Sequence, residues 1–445
     1  MGKSRFHWSL LAAGASALTL AACGGGNSGS SSTNTPATMT TSSTTSSSTT
    51  STTTAPNSFA NTALVSNTAA GTVDMLPANT VAPGDSSTFT FPKTENPNLD
   101  PNLSHGWGVA FGPGTSVWVN DHESNLSSLY DGMGNPLPAS EQPAVAIPPN
   151  MGGGAAGPTG IVANINTINC TTIAAANCAF GTGFSAGVGP AEFIFAGTGG
   201  TISAWASGTT AITEFDGSAQ GDEFTGLGIY TQTSGSTFLI AADFQNGAID
   251  VFDSTFKPNT TAFPGGFKDP NLPAGYAPFG VQTIGNMIYV SYAQQPTGTQ
   301  KVPEVDGEGL GMVDVFDGTG TLVKELIPTG GPLNAPWGMA LAPSGFGPYG
   351  GDLLVGNFGD GRINVFNPTT GALIATLMDS STNMPIHIPG LWGIAFGNGA
   401  FNTSTTTLYY AGAPNMMLQG IYGSISAPST GTTTTTTPTT QSFSY

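Results

Sequence analysis

Apolar and polar positions alternate in short runs through the middle of this chain, the period-two signature of strands with one face turned to a core. The runs recur. A small or aromatic residue, a glycine and an apolar alternation appear as WGVAF at Trp107, TGIVA at Thr159, LGIYT at Leu227, FGVQT at Phe279, WGMAL at Trp337 and WGIAF at Trp392. Each is followed by a second strand-like run: VWVND at Val117, FIFAG at Phe193, FLIAAD at Phe238, IYVSYA at Ile288, LLVGNF at Leu353 and LYYAGA at Leu408. A third follows, from SSLYDG at Ser127 and TISAWAS at Thr201 to AIDVFDS at Ala248, MVDVFDG at Met312, RINVFNP at Arg362 and GIYGSIS at Gly420. Most of these end in Asp or Asn, whose side chains bond to backbone two residues on and so favour a tight turn.

Fourth strands are expected at VAIP near Val145, TLVKEL near Thr321 and ALIATL near Ala372. The sixth copy runs into a threonine tail and lacks one. The run ALVSN from Ala63 to Asn67 is expected to supply it, pairing the two ends of the chain and removing an open sheet edge. The repeat glycines Gly108, Gly160, Gly228, Gly280, Gly338 and Gly393 recur at intervals of roughly 50 to 70 residues, the length of a four-stranded blade with insertions. Composition agrees, because 63 glycines and 33 prolines among 445 residues disfavour helices. The expected fold class is all-β, a six-bladed β-propeller over residues 58–427.

The two ends read differently. Lys3 and Arg5, an apolar run from about Leu10 to Leu20 and the tetrad Leu20-Ala21-Ala22-Cys23 follow the layout of a secretory signal over residues 1–22. The apolar run is shorter than the roughly 20 residues a bilayer core requires. The tetrad resembles the bacterial lipobox, which implies lipidation of Cys23 and a membrane as partner through that anchor. Gly24 after the cysteine is similar to Gram-negative lipoproteins sent to the outer membrane, so a bacterial envelope location is expected, periplasmic or surface-exposed. Residues 23–57 and 428–445 are rich in Ser and Thr without periodic apolar positions, and read as a flexible linker and a disordered tail. Cys170 and Cys178 remain as an even pair in an exported chain, read as a disulfide with two free thiols as the alternative.

A formal charge of −18, with eight lysines and arginines against 26 acids, excludes nucleic acid as a partner, since phosphate binding needs clustered cations. The acidity suits either solubility or a divalent cation.

The run from Leu333 to Leu377, with AADFQNGAIDVFDSTF from Ala241 and PGLWGIAFGNG from Pro389, closely resembles a family of exported bacterial proteins labelled conserved hypothetical. Some members are associated with the PEP-CTERM sorting system. That family is similar in turn to NHL-type six-bladed propellers, so the resemblance implies the fold and no activity. This chain departs from members with a PEP-CTERM tail, because it ends in SFSY after a threonine run.

In a propeller, the loops leading into each first strand and those joining second to third strands share one face around a central channel. Here that face gathers His105, Asn120, Asp121, His122, Glu123, Asp222, Glu223, Asp243, Asn246, Glu304, Asp306, Glu308, Asn357, Asp360 and His387. Asp121, His122, Asp243, Asn357 and Asp360 are the ligand or metal candidates, and a Ca²⁺ ion is the candidate cofactor because it takes six to eight oxygen ligands. The competing reading makes these residues turn formers, with Asp243 and Asp360 bonded to backbone amides. Trp107, Trp337 and Trp392 are expected to pack between blades. No G-x-S-x-G, H-E-x-x-H or Walker pattern is present. The leading expectation is a non-enzymatic, lipid-anchored binding or scaffold module for a protein, glycan or small molecule. The alternative is a calcium-assisted, lactonase-like hydrolase working at the channel mouth.

Overall fold

The computed structural model describes residues 57–68, 73–75, 88–90, 97–137, 144–165, 180, 190–299, 301 and 303–428. Cys23, Cys170 and Cys178, the leader, nearly all of the Ser/Thr-rich linker, and the tail beyond residue 428 lie outside them.

Six antiparallel sheets follow one another in chain order, and in each the first strand is innermost. Blade 1 runs Gly106–Phe111, Val117–Asp121, Leu126–Tyr130 and Ala144–Ala146. Blade 2 runs Pro158–Ala163, Phe193–Gly197, Thr201–Trp205 and Ile212–Asp216, the last a strand the repeat pattern did not disclose. Blade 3 has only Phe224–Thr231, Thr237–Asp243 and Ala248–Phe252. Blade 4 comprises Tyr276–Ile284, Met287–Gln294, Gly311–Phe316 and Leu322–Ile327. Blade 5 comprises Pro336–Leu341, Leu353–Asn357, Ile363–Phe366 and Leu373–Thr376.

Blade 6 combines Leu391–Phe396, Thr407–Gly412 and Ile421–Ser426 with the N-terminal strand Ala60–Ser66. That strand pairs antiparallel with Ile421–Ser426, Ala60 opposite Ser426 and Ser66 opposite Ile421, so the two ends of the chain close the ring. Its outer edge is covered in turn by Asn98 and Leu99, paired parallel to Val65 and Ser66.

The repeat has a steric cause. The six innermost strands contact one another in a closed cycle, and a glycine marks each point of approach. A Cβ on Gly108 would lie 2.4 Å from the Thr159 carbonyl oxygen, one on Gly280 2.4 Å from that of Trp337, and one on Gly393 2.7 Å from that of Trp107. Gly160 meets the Leu227 amide, and Gly338 the Trp392 carbonyl, at 2.4 and 2.5 Å. In blade 3 the corresponding residue is Gly226, against the Phe279 carbonyl at 2.8 Å, and not Gly228. The doublet Gly226-Leu227-Gly228 presents two glycines to the motif, and only the neighbouring strand decides between them. Ladder pairing shifts at this point in every inner strand, as a bulge that bends it towards the axis.

Alternation then sorts side chains into cores between successive blades. Ile194, Ile202 and Leu239 fill the gap between blades 2 and 3, while Val251, Val290 and Phe316 fill that between blades 3 and 4. Phe59, Leu354 and Tyr410 lie between blades 5 and 6, and Val65, Val119 and Tyr422 between blades 6 and 1.

Trp107, Trp337 and Trp392 do not sit in those gaps. Trp107 and Trp392 stack at 3.5 Å between ring centroids, and Trp337 meets both edge-on. With Phe244, Phe279 and Phe358 they fill the axis. They stand on innermost strands, so their rings reach inwards, and six strands around a narrow axis leave a space that aromatic rings fill.

Candidate functional site at the axial mouth

The second strand of each blade ends beside the start of its first, so the loops there share one face. In blade 1 the His122 amide donates to the His105 carbonyl at 3.0 Å, bringing the two histidines together above the aromatic plug. Their rings lie 4.7 Å apart, and both pack against Trp107. His105 holds φ at +59°, a conformation uncommon outside glycine.

Glu123 joins them, its Oε1 3.6 Å from His105 Nδ1 and 3.3 Å from His122 Nδ1. Protonation follows from the partners. The Trp392 indole can only donate, and its Nε1–H points to His105 Nε2 at 3.2 Å, so the His105 proton sits on Nδ1, towards Glu123. His122 likewise turns Nδ1–H to the carboxylate, and its Nε2 shares a hydrogen bond of 2.9 Å with the Thr198 hydroxyl. Burial pushes the His105 imidazole down to about 4 against the pull of Glu123, so it is neutral at pH 7. The close approach of His105 and the hydrogen bond from His122 hold the Glu123 carboxyl far below its usual range, although more than half of it is exposed. The result is a fixed anion at the rim, backed by two imidazoles, of which His105 is neutral. Thr198 and the Trp392 contact carry no signal in the local sequence, because they come from blades 2 and 6.

Next to this group, the blade 6 loop places Asn415, Met416 and Met417 consecutively at positive φ, between +52° and +68°. Such a run costs roughly 1–2 kcal/mol per residue. Met417 packs on the axial aromatics while Met416 and Leu418 stand about two-thirds exposed. The Gln419 carbonyl accepts from the His105 amide at 3.1 Å, tying this loop to the histidine pair.

The remaining candidates are dispersed. Asp121, Asp243 and Asn357 end the second strands of blades 1, 3 and 5 and are buried. Asp121 accepts from Ser128 Oγ at 2.6 Å, and burial pushes its carboxyl well up. Asp243 accepts from the amides of Glu223 and Asn246, both at 3.2 Å, and Asn357 donates to the Pro332 carbonyl at 2.9 Å. Asp360 accepts from the Arg362 amide at 3.1 Å. Glu304 and Asp306 lie on the long blade 4 loop, where burial and mutual repulsion raise Glu304 to about 8, while burial and the Asp360 charge raise Asp306 to about 6.

Two groups among the described residues bring three metal-type ligands within 4.8 Å: His105, His122 and Glu123, and Asp222, Asp243 and Asp250. The first does not suit Ca²⁺, which prefers oxygen, and ligation through His105 Nδ1 would leave its Nε2–H facing the Trp392 donor. The second offers a hard-cation donor set, although Asp243 already spends both oxygens on Glu223 and Asn246.

No family model matches the sequence. The chain is 30% identical over 337 residues to uncharacterized protein R648 of Acanthamoeba polyphaga mimivirus, covering 74% of this chain and 76% of that protein. It belongs to the family of that protein. A second relative from the same virus, uncharacterized protein L690, is 29% identical over 340 residues, covering 74% and 81%. These relatives are viral, so the family reached is not the bacterial PEP-CTERM-associated one that the sequence resembles. Solved structures that are similar include a glucose dehydrogenase (TM-score 0.41, 13% identity, 74% of this chain and 98% of that one) and a streptogramin B lyase (TM-score 0.38, 14% identity, 74% and 96%). The propeller assignment rests on the strand pairings of the chain itself.

Proposed function

We propose that this propeller is a binding module whose recognition surface is the axial mouth formed by His122, Glu123, Met416 and Leu418. The observation that supports it is Glu123: an exposed carboxylate faced by His105 and His122, with the His105 proton set from behind by Trp392. An anion so fixed costs no reorganisation when a hydrogen-bond donor arrives, and the neighbouring methionine and leucine offer adaptable apolar contact. The strained turn beneath them belongs to the same reading, since left-handed residues persist where the surroundings enforce them, often at ligand sites. The occupant would be a protein or glycan surface rich in donors. Anchoring through Cys23 in a bacterial envelope is part of this proposal.

The test is a glycan and peptide array probed with labelled protein, wild type against Glu123→Gln and His122→Ala. Signals lost in both variants, with unchanged melting, support the mouth. Identical array patterns for all three refute it. A second reading, the calcium-assisted hydrolase, draws on the approach of Asp222, Asp243 and Asp250. Calcium at millimolar concentration must then raise the melting temperature; no shift removes that reading.

A further inference from the structure

We propose that the outer side of blade 3 is a second binding site, one that takes an organic cation with an apolar body, such as an arylalkyl amine or guanidinium. It is independent of the axial mouth. Blade 3 alone lacks a fourth strand in the described structure, and where that strand would lie there is a cleft of about 440 Å³. The volume is in the range of small-molecule pockets, which run from about 300 to 1,000 Å³.

Its walls are aromatic, and its charges have one sign. Phe215 of blade 2 packs on Phe252 at 4.7 Å between centroids, and Phe263 on Phe267 at 5.1 Å across the loop that follows blade 3. Asp222 and Asp250 are the charged groups lining the cleft, and with Asp243 their carboxylates come within 4.8 Å. Burial and the charge of Asp243 raise Asp222 and Asp250 to about 6, and no lysine or arginine contributes to the field at either. Paired carboxylates beside aromatic rings, of which Phe215 is half-buried and the others buried, attract an ammonium or guanidinium group: the carboxylates supply the charge and Phe215 the cation–π contact. The loop covers only part of the open edge, through Asn259, whose amide donates to the Val251 carbonyl at 2.8 Å, and Pro258, which bridges to Phe252. A neutral apolar ligand would cover the two half-buried carboxylates and leave them only the Asn246 amide, which donates to Asp222 at 3.2 Å, and this selects against it.

Isothermal titration calorimetry of the full chain with 4-phenylbutylamine, 4-phenylbutan-1-ol and calcium chloride tests this. The amine should bind with one-to-one stoichiometry and at least tenfold more tightly than the alcohol. Asp250→Asn and Asp222→Asn should each weaken the amine about tenfold while leaving the array pattern of the axial mouth unchanged. Thr260→Trp, at an exposed wall position, should block the cleft without touching either carboxylate or the core. Equal binding of amine and alcohol, amine binding unaltered in Asp250→Asn and Thr260→Trp, or saturation by calcium with no amine binding would each overturn the proposal.

Discussion

Alanine at the inner-ring glycines tests the account of why the repeat exists. At Gly226 the added carbon would lie 2.8 Å from the Phe279 oxygen, 3.0 Å from Gly280 Cα and 3.1 Å from the Val281 nitrogen, all backbone of blade 4. No side-chain rotation relieves this, so the inner strands must separate, and overpacking of that kind costs about 1–3 kcal/mol. Gly280→Ala meets the Trp337 oxygen at 2.4 Å and Ser291 Oγ at 2.8 Å, which places it at the upper end of the range. Gly228→Ala differs. Its close neighbour is Val281 Cγ1 at 2.8 Å, with the next atom at 3.6 Å, so a rotamer change of about 0.5–1.5 kcal/mol accommodates it. Gly152→Ala, exposed and 3.4 Å from Asn150 Oδ1, is the control and should stay within about 0.5 kcal/mol of wild type. Equilibrium unfolding in urea, followed by the fluorescence of the axial tryptophans and by far-ultraviolet circular dichroism, reads the differences if the two transitions coincide. The expected order of destabilisation is Gly280, Gly226, Gly228, Gly152. A Gly226→Ala variant as stable as the control, or less perturbed than Gly228→Ala, would refute the closed ring of backbone approaches.

Stability should fall as pH rises from about 4 to 8. Burial and Asp269 raise Asp314 to about 7 and burial and Asp306 raise Glu304 to about 8, so their stabilisation is full below about pH 4 and fades as pH climbs through 7 to 8. For the fully buried Asp314 this is on the order of 4 kcal/mol. His105, lowered to about 4, acts oppositely, its contribution fading as pH falls from 6.5 to 4. Melting curves from pH 4 to 9 should show this decline, less steep in Asp314→Asn; a melting temperature that rises from pH 4 to 8 contradicts it. Trp392→Ala should cost about 3–5 kcal/mol in urea unfolding, because it empties the axis and removes the donor to His105. Deleting residues 58–66 should expose the edge of Ile421–Ser426 and yield oligomers by light scattering, where wild type keeps that edge paired. In a Gram-negative host, labelled palmitate should be incorporated into wild type and not into Cys23→Ser; equal labelling rules out the anchor.

Most of the architecture was legible along the chain, because strand alternation and the spaced glycine are local. They disclosed the strand classes, the six blades and the N-terminal closing strand, read from the run Ala63–Asn67, which opens on three consecutive apolar residues. What depended on the partner across the ring was not. Whether Gly226 or Gly228 meets the next strand is decided by the Phe279 backbone, not by blade 3. Trp107 and Trp392 are 285 positions apart yet stack on the axis, which only closure brings about. The same closure turns Trp392 Nε1 to His105 and so sets the protonation behind Glu123. Blade 3 lost its fourth strand because the chain after Phe252 turns into the loop that carries Phe263 and Phe267. Periodicity states which face of a strand is buried; what it is buried against is a property of the closed ring.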